Sequence, residues 1–566
     1  MNFRYLSRVV RRASALGAAA VIAAFATVSA PAMAAYDQSL VRSLTDGPIK
    51  GKAAANETQA FLGIPFAKPP VGDLRWRAPQ PPDKWSSERD ATQFASMCAQ
   101  IGGLFGEPDP DTFGKLVGSE DCLYLNVWRP NSRDEKLPVF FWIHGGGSIM
   151  GSAREPIYDG AYLAHQANMV VVTVQYRLGM LGLLRHPALR TGNKLDDSGN
   201  FATLDLVRAL DWVRGNAEKF GGDPGLVTVA GQSAGCLNTW ALLQSPLAEG
   251  KLHRALCMSN LASVSKPIDG EAKAEELINR LLIDTTRDLG EAIKQRVVVN
   301  LLPSGINSYL LRKVGAEQIM RLTVGGPLTD SVMPGPYADG TVIRSGSTDD
   351  NLAKGNYNKV PLMIGSTGED ASSTAFWVDS MGPRWMVQPT QKELWKLINE
   401  GDPSKVASGQ LIKPGLSQGL FAMATWAGTT ALNKLIDDQI RVLTPKNDNI
   451  YRYSYNWKDI PQPWKDTFGA FHNSDLAALF GNFVTDEPSF MRFAWTADNA
   501  VSRKALSDKF IGYVANFARY GKPFGQFDGF ELKWWFPWTD THCPGLCPKG
   551  PTRMIFDNNL RVSSDN

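Results

Sequence analysis

Residues 227–236 place a serine between two glycines at the end of a strand-like run. They read V-T-V-A-G-Q-S-A-G-C, so that Ser233 is the centre of a G-x-S-x-G pattern. The β-branched residues before it favour a strand, and residues 237–243 after it are compatible with a helix. Gly231 and Gly235 let the two elements approach without a Cβ between them, which leaves the serine hydroxyl exposed on a strained turn. The pattern predicts a nucleophile; its alternative is a simple glycine-rich turn.

A serine nucleophile needs a general base, and the chain has six histidines. After a turn of this kind the acid comes next along the chain and the histidine last. The histidines before the serine are therefore excluded; they are His144, His165 and His186. His253 follows Ser233 by only 20 residues, which leaves no room for a further strand and an acid. His542 lies between prolines and cysteines near the end of the chain, so we predict that His472, shortly after a strand-like run, is the base.

The acid that orients the histidine is expected after a strand between Ser233 and His472. The apolar run 361–364 is followed by G-S-T-G-E-D, which ends in the adjacent carboxylates Glu369 and Asp370. Neighbouring side chains on an extended turn point in different directions, so only one of the two can reach the imidazole. The residues alone leave both assignments open.

Backbone N–H groups near the serine are needed to stabilise a developing oxyanion. Gly145, Gly146 and Gly147 follow the strand-like run 139–143 and present N–H groups without side-chain obstruction, and the N–H of Ala234 adds a donor beside the serine. A phosphate-binding loop is the alternative for a glycine triplet. It requires Lys-Ser/Thr afterwards, which the following Ser-Ile-Met does not provide.

Strand-like and helical segments alternate along most of the chain. The strand-like runs are 123–128, 139–143, 169–175, 227–230, 255–258, 361–364 and Ile450–Tyr455, and Phe201–Asn216 reads as an amphipathic helix. This alternation predicts an α/β fold with a mostly parallel central sheet flanked by helices.

Several long stretches interrupt the alternation. Residues 35–100 are rich in turns, and residues 99–119 lack periodicity and are predicted to form a closed loop. Two insertions, about 261–357 and 371–449, carry helical patterns such as 271–282 and 391–398. We expect both insertions to pack on the sheet as a helical cap, within a single domain that covers residues 35–566.

Residues 1–34 have the composition of a secretory signal peptide. A start with four arginines and no acid is followed by the apolar run 16–30 and by Ala-Met-Ala, which predicts cleavage before Ala35 and export to the periplasm or the medium. A membrane anchor is the alternative, but the run is shorter than the ~20 residues that a span needs. Removal of the four arginines changes the net charge from +3 to −1, which argues against nucleic acid or an anionic membrane as partner.

All six cysteines lie beyond this leader, and export permits disulfides. Cys236 and Cys257 lie on elements expected in the core, where a free thiol is the common state. Cys543 and Cys547 lack the second pair of ligands that a metal site requires. The pairing of these four cysteines stays open at this point.

Several motifs together resemble the type-B carboxylesterases, the group of cholinesterases, bile-salt lipases and bacterial carboxylesterases. The resemblance covers nearly the whole chain after the leader. The matching segments are S-E-D-C-L-Y-L-N at 119–126, F-G-G-D-P through G-Q-S-A-G at 220–235, and parts of 61–75, 176–179 and 517–521.

This resemblance implies an α/β-hydrolase fold and a set of site residues. The implied catalytic residues are Ser233, Asp370 and His472, the acid position being counted in the family pattern from Gly365. The implied oxyanion-hole donors are Gly146, Gly147 and Ala234. The implied structural pairs are a Cys98–Cys122 disulfide and the ion pairs Arg75–Glu120 and Arg177–Asp223. No metal or organic cofactor is implied.

The chain departs from the family pattern at several positions. The family usually has Glu where Asp370 stands, an aromatic residue where Ser148 stands, and Gln-Ser-Gly where Met-Ser-Asn follows Cys257. Residues 98–122 also lack the Trp that binds quaternary ammonium groups in cholinesterases, which argues against choline esters.

We therefore expect an exported serine hydrolase of small carboxylic esters that works through an acyl-enzyme. Amidase, lactonase and thioesterase activities through the same three residues are alternatives, as is a non-catalytic binding protein of this fold. The oligomeric state and the natural ester stay open.

Overall fold

The computed structural model describes residues 39–104, 109–132, 134–286, 304–324, 335–377, 385–485, 487–538 and 551–564. In this part of the chain eleven strands form one mixed sheet, which we number β1 to β11 in chain order. They are Lys52–Ala54, Thr58–Pro65, Tyr124–Pro130, Leu137–Ile143, Val170–Val174, Gly222–Gln232, Arg254–Met258, Leu362–Thr367, Ile450–Tyr455, Thr552–Phe556 and Arg561–Ser564.

The sheet has the spatial order β11-β10-β9-β8-β7-β6-β4-β5-β3-β2-β1. The strands from β10 to β5 in this order are parallel to their neighbours, and the outer pairs are antiparallel. Parallel neighbours end at the same edge of a sheet. The loops after β4, β6, β7, β8 and β9 therefore meet at one edge, and this edge holds the predicted site residues.

Fourteen α-helices lie within the described residues, and we number them α1 to α14. They are Ala161–Ala167, Gly179–Gly182, Phe201–Asn216, Ala234–Gln244, Pro267–Thr286, Ser304–Lys313, Ala316–Val324, Thr348–Lys354, Gln391–Asn399, Ser408–Leu411, Leu416–Leu443, Trp464–Thr467, Ser474–Phe480 and Ala500–Tyr520. Short strands outside the main sheet are Val41–Ser43, Pro48–Lys50, Arg89–Asp90, Gln100–Ile101, Leu116–Val117, Gly525–Phe527 and Phe530–Leu532.

Alternate residues of β4 join apolar clusters on opposite faces of the sheet. Phe140 and Trp142 belong to a cluster that includes residues of α1, α13 and α14. Val139, Phe141 and Ile143 belong to a second cluster that includes residues of α3, α4 and the carboxyl-terminal part of α11. Because β4 is covered on both faces, it is apolar throughout rather than alternating between apolar and polar residues.

The predicted fold class is confirmed, and two element boundaries agree in full: the helix Phe201–Asn216 and the strand Ile450–Tyr455. The strands β1, β2, β10 and β11 were not predicted. They lie at the edges of the sheet, and β2 contains Gly63 and Pro65 and shifts register between Phe61 and Ile64. Such irregular edge strands lack the long apolar run that marks a central strand.

Both insertions contribute residues to the apolar cluster on one face of the sheet, among them Tyr337 and Leu352 from the first insertion. Residues 261–357 contain α5 to α8, and residues 371–449 contain α9 to α11. The last turns of α11 carry Ile436, Ile440 and Leu443, which are buried in the cluster on one face of the sheet. Parts of both insertions therefore pack against this face of the sheet. No helix among the described residues has the length and apolar character needed to cross a membrane.

Cys98 and Cys122 are joined by a disulfide, with their Cα atoms 4.9 Å apart. The stretch between them was predicted as an irregular loop, but its ends pair as the short antiparallel strands Gln100–Ile101 and Leu116–Val117. A second disulfide joins Cys236 and Cys257, whose pairing the sequence left open, with a Cα separation of 4.7 Å. Neither is the free thiol that is common for a cysteine in the core. Cys236 lies in the first turn of α4, which packs directly on β7, the strand that carries Cys257.

One of the two implied ion pairs is present and the other is not. Arg75 donates two hydrogen bonds to the carboxylate of Glu120. Arg177 instead binds Asp205 on α3, through Nε at 2.8 Å and Nη2 at 2.6 Å, so the implied Arg177–Asp223 pair is wrong. Asp223 uses its Oδ1 to accept the N–H of Gly225 at 2.7 Å, within its own turn.

Candidate active site

Ser233 lies on the sharp turn between β6 and α4, with φ 56° and ψ −121°. As predicted, the flanking glycines are required by close packing. A Cβ on Gly231 would lie 2.3 Å from the backbone of Gly235, and a Cβ on Gly235 would lie 2.0 Å from the carbonyl oxygen of Ile143. The N–H of Ser233 donates to the carbonyl of Met258 at 2.8 Å, which extends the pairing of β6 with β7 into the turn. The strained serine is held by backbone on both sides.

His472 and Asp370 form a buried pair at the same sheet edge. The Nδ1 N–H of His472 donates to Asp370 Oδ1 at 2.6 Å, and the two residues are 5% and 3% exposed. The second oxygen of Asp370 accepts hydrogen bonds from Ser259 Oγ at 2.6 Å and from the N–H and Oγ1 of Thr367, both at 3.0 Å. A carboxylate with this many donors holds the imidazole in one orientation and one tautomer.

Glu369, the adjacent carboxylate, has different partners. Its Oε1 lies 2.6 Å from Lys458 Nζ, and its Oε2 accepts the N–H of Ala470 at 2.8 Å. The N–H of Glu369 in turn donates to the carbonyl of Ala470 at 2.9 Å. Glu369 thus ties the loop after β8 to the loop that carries His472.

The electrostatic surroundings keep Asp370 ionised. Burial by itself raises the pKa of the Asp370 carboxyl, but the charge of His472 and the hydrogen bonds from His472, Ser259 and Thr367 outweigh burial and lower it. A second buried carboxyl, Asp475, behaves in the opposite way. Burial and the nearby charge of Asp370 raise the pKa of Asp475 to about 7, although Tyr453 OH donates to its Oδ2 at 3.0 Å.

The contact at the other nitrogen of the imidazole is to a glutamine. Gln232 Nε2 lies 2.9 Å from His472 Nε2. Among the described residues this carboxamide, and not Ser233 Oγ, is the hydrogen-bond partner of Nε2. The indole of Trp377 packs against the ring of His472, with ring centroids 4.9 Å apart and planes tilted by 53°.

The glycine triplet lies beside the serine turn. A Cβ on Gly145 would lie 3.3 Å from Ser233 Cβ, and Gly146 and Gly147 both have positive φ, 100° and 62°. Within the described residues the N–H groups of Gly146 and Gly147 have no protein acceptor. Ala234 is the first residue of α4, so its N–H has no partner within the helix. These are donor groups of the kind that bind an oxyanion.

The departures from the family pattern take part in the local backbone network. Ser148 has φ 59°, and its carbonyl accepts the N–H of Gly179 at 2.6 Å. Asn260 Nδ2 donates to the carbonyl of Ser233 at 3.0 Å. Asn260 therefore stabilises the backbone of the serine turn, while its neighbour Ser259 donates a hydrogen bond to Asp370.

The other described histidines have roles outside this constellation. His144 is fully buried, its ring stacks on Tyr176 with centroids 4.6 Å apart, and burial lowers its pKa to about 4. His253 Nδ1 accepts the N–H of Val227 at 3.2 Å, and His186 lies 3.2 Å from Glu275. His542 lies outside the described residues. In the described part of the chain no group of three or more His, Cys, Asp or Glu side chains has the arrangement of a metal site.

Two adjoining cavities lie beside the loop that carries His472, although neither His472 nor Ser233 lines them. The smaller, about 80 Å³, is lined by Asn473, Tyr158, Leu104 and Phe490 among others. The larger, about 690 Å³, shares residues 155, 156 and 488 with it and is lined by apolar and charged side chains.

Four residues of the site were not identified from the sequence: Gln232, Ser259, Thr367 and Asp475. Ser259 did carry a signal, because it belongs to the segment after Cys257 that departs from the family pattern. Thr367 and Asp475 are each three residues from a predicted site residue, but nothing in their type distinguishes them from ordinary turn or capping residues.

Comparisons with known proteins identify the family of the chain. Residues 38–543 match the model of a family described as "Carboxylesterase family". The para-nitrobenzyl esterase of Bacillus subtilis (strain 168) is 34% identical over 525 residues, which cover 92% of this chain and 95% of that protein. A solved structure described as a thermophylic PNB esterase has a TM-score of 0.68 and 26% identity, and the match covers 93% of this chain and 97% of that one.

Other relatives match over a shorter stretch. The fumonisin B1 esterase of Sphingopyxis macrogoltabida is 37% identical over 341 residues, which cover 59% of this chain. The chain spans about half the length of this relative and of two others, covering 57%, 49% and 54% of them.

Proposed function

The chain belongs to the carboxylesterase family, and from this premise we propose that it hydrolyses carboxylic esters of small molecules through Ser233, His472 and Asp370. Ser233 is the nucleophile, His472 the general base and acid, and Asp370 the acid that orients the imidazole. The N–H groups of Gly146, Gly147 and Ala234 stabilise the oxyanion. The reaction uses side-chain and backbone groups of the chain itself.

In the first half of the reaction, Ser233 Oγ attacks the ester carbonyl while its proton passes to His472 Nε2. The resulting oxyanion accepts hydrogen bonds from the three N–H groups. The bond to the alcohol oxygen then breaks, and the alcohol leaves with the proton held on Nε2. In the second half, water attacks the acyl-enzyme, giving its proton to His472, and the acid is released as Ser233 recovers its hydrogen.

One observation carries this proposal. Asp370 accepts the Nδ1 N–H of His472 at 2.6 Å, so the neutral imidazole carries its lone pair at Nε2, which lies 2.9 Å from the side chain of Gln232, the residue before the strained Ser233. This tautomer is the one that accepts a proton from a hydroxyl.

The name of the Bacillus relative supports esters of aromatic alcohols as first substrates to test. Export fits the disulfides Cys98–Cys122 and Cys236–Cys257, because both persist in an oxidising compartment. The proposed signal peptide, residues 1–34, lies outside the described residues.

The test compares turnover of p-nitrophenyl and p-nitrobenzyl esters with that of matched amides, thioesters and lactones. We expect the esters to be hydrolysed fastest, and Ser233→Ala to lower ester turnover by at least ~10⁴-fold. Ser507→Ala is a matched control, because Ser507 is a fully buried serine on α14 that donates to the carbonyl of Ala478. Near-normal turnover in Ser233→Ala refutes the role of Ser233. Faster turnover of an amide, thioester or lactone refutes the ester as preferred substrate.

A further inference from the structure

We propose that the Gln232 carboxamide is a positioning group that holds His472 in a resting orientation as the neutral base and hands Nε2 over to Ser233 during turnover. The proposal rests on the proposed function, since it assigns a role within the same reaction. It starts from the 2.9 Å contact between Gln232 Nε2 and His472 Nε2.

The hydrogen-bond pattern defines the donor at this contact. Asp370 is an acceptor at Nδ1 of His472, so the proton of the neutral imidazole lies on Nδ1 and Nε2 carries a lone pair. The amide N–H of Gln232 therefore donates to this lone pair. A lone pair that accepts the amide proton is not at the same time available to the hydroxyl of Ser233.

The carboxamide is held in place by its surroundings. Gln232 is 1% exposed and ends β6, where it pairs with Met258 of β7. Its Oε1 and its backbone oxygen lie so close to Gly145 that a Cβ there would be 2.9 Å from each. The carboxamide oxygen therefore lies beside Gly145, while the amide nitrogen faces His472.

The contact has a chemical consequence for the histidine. Protonation of Nε2 would set its N–H against the amide N–H of Gln232, so the contact favours the neutral imidazole over the imidazolium. A carboxylate in place of the carboxamide reverses this preference, since it accepts a hydrogen bond from the imidazolium and attracts its charge. Ser233 is the next residue in the chain, and the proposed exchange requires the imidazole to move from the carboxamide to the serine hydroxyl.

Other titratable groups surround His472 and must be accounted for in any pH profile. Asp370, in the loop after β8, accepts a hydrogen bond from it, and Asp475, in the first turn of α13, interacts with it through charge. Tyr453 on β9 and Tyr158, before α1, both interact with Asp475, and burial raises the pKa of each tyrosine. Of these groups Asp475, with its pKa of about 7, titrates in the range of the assay.

The experiment is the pH dependence of kcat/KM for one p-nitrophenyl ester in wild type, Gln232→Glu and Gln232→Met. The acid limb of kcat/KM reports the ionisation of the base in the free enzyme. We expect its midpoint to rise by about one pH unit or more in Gln232→Glu, because a carboxylate next to the imidazole favours its charged form. In Gln232→Met the amide donor is lost without a new charge, and we expect a rise of about half a pH unit.

Two controls separate this contact from general effects. Gln244→Glu places the same carboxylate at the buried far end of α4, and its midpoint should stay at the wild-type value. Asp475→Asn removes the other group that titrates in this range, and the shifts caused by the Gln232 variants should persist in that background. A merely structural role for Gln232 would lower kcat without moving the midpoint.

An unchanged midpoint in Gln232→Met overturns the inference, and this variant decides the matter if Gln232→Glu does not fold. An equal shift in Gln244→Glu also overturns it, because the effect would then be one of buried charge in general. Ser233→Ala, measured beside them, reports on the proposed function separately. Retained turnover there refutes the proposed function. An unmoved midpoint with an inactive Ser233→Ala refutes only the role of Gln232.

Discussion

Replacing Asp370 with Asn changes one oxygen of the side chain into an NH₂ group and leaves its shape almost unchanged. The surroundings decide which oxygen is replaced. Oδ2 accepts three hydrogen bonds, from Ser259 Oγ, Thr367 N–H and Thr367 Oγ1, whereas Oδ1 accepts one, from His472 Nδ1. The amide therefore keeps its oxygen at the Oδ2 position and presents NH₂ to His472.

An NH₂ group facing Nδ1 forces the imidazole into the other tautomer. The proton then lies on Nε2, which can no longer accept the hydroxyl proton of Ser233. A histidine held in this wrong tautomer costs about 10⁴-fold in kcat in a well-studied serine hydrolase, which corresponds to about 5.4 kcal/mol of barrier. We expect a loss of this size in Asp370→Asn.

The assay is kcat for one simple p-nitrophenyl ester, with thermal unfolding as a check on folding. Glu369→Gln is the matched control, because it makes the same chemical change at the adjacent residue. It weakens the contact with Lys458 and leaves the pair of Asp370 and His472 in place. We expect its kcat to fall less than tenfold. A value for Asp370→Asn within tenfold of wild type, or greater damage in Glu369→Gln, refutes the assignment of Asp370.

Two further predictions concern stability. Gly235→Ala should destabilise the fold by more than about 3 kcal/mol, because its Cβ would lie 2.0 Å from the carbonyl oxygen of Ile143. Gly419→Ala is the control and should not destabilise it to this extent, because the space around its Cβ is open. Urea unfolding of both variants tests this prediction. For Asp475 the folded pKa of about 7 lies above the ordinary 3.8, so the stability that its protonated form contributes is complete below pH 3.8 and is lost as pH rises through about 7. Over the full pH range this contribution to the free energy of unfolding changes by about 4 kcal/mol. Asp475→Asn should remove this pH dependence. The Tm of Asp475→Asn should fall less than the Tm of wild type between pH 5 and pH 8.5. Parallel curves of Tm against pH for the two proteins would contradict the raised pKa of Asp475.

Local sequence was enough to predict the parts of the site that depend on backbone geometry. The turn at Ser233 follows from its flanking glycines, because a side chain at Gly231 or Gly235 would overlap backbone. The order of serine, acid and histidine along the chain left His472 as base. The turn is encoded within a short segment. The order of the strands in the fold then indicates where along the chain the acid and the histidine are expected.

Features that depend on which side chains meet across the fold could not be predicted. The sequence offers two carboxylates after Arg177 as its partner, Asp205 and Asp223. Only the packing of α3 brings Asp205 to Arg177. The contact between Gln232 and His472 joins residues 240 positions apart. Glutamine and histidine each occur in many other structural roles, so neither residue by itself predicts this contact. The Cys236–Cys257 disulfide likewise requires the first turn of α4 to lie on β7.

The most direct test of the central claim is the site of covalent labelling by diethyl p-nitrophenyl phosphate, a reagent that phosphorylates activated serines. The purified protein is titrated with the reagent, ester turnover is followed, and the labelled peptide is located by mass spectrometry. We predict one diethylphosphoryl group per chain on Ser233, with turnover lost in proportion to labelling, and no labelling in Ser233→Ala. Loss of turnover with the label on another residue, or full turnover with Ser233 labelled, would contradict the account.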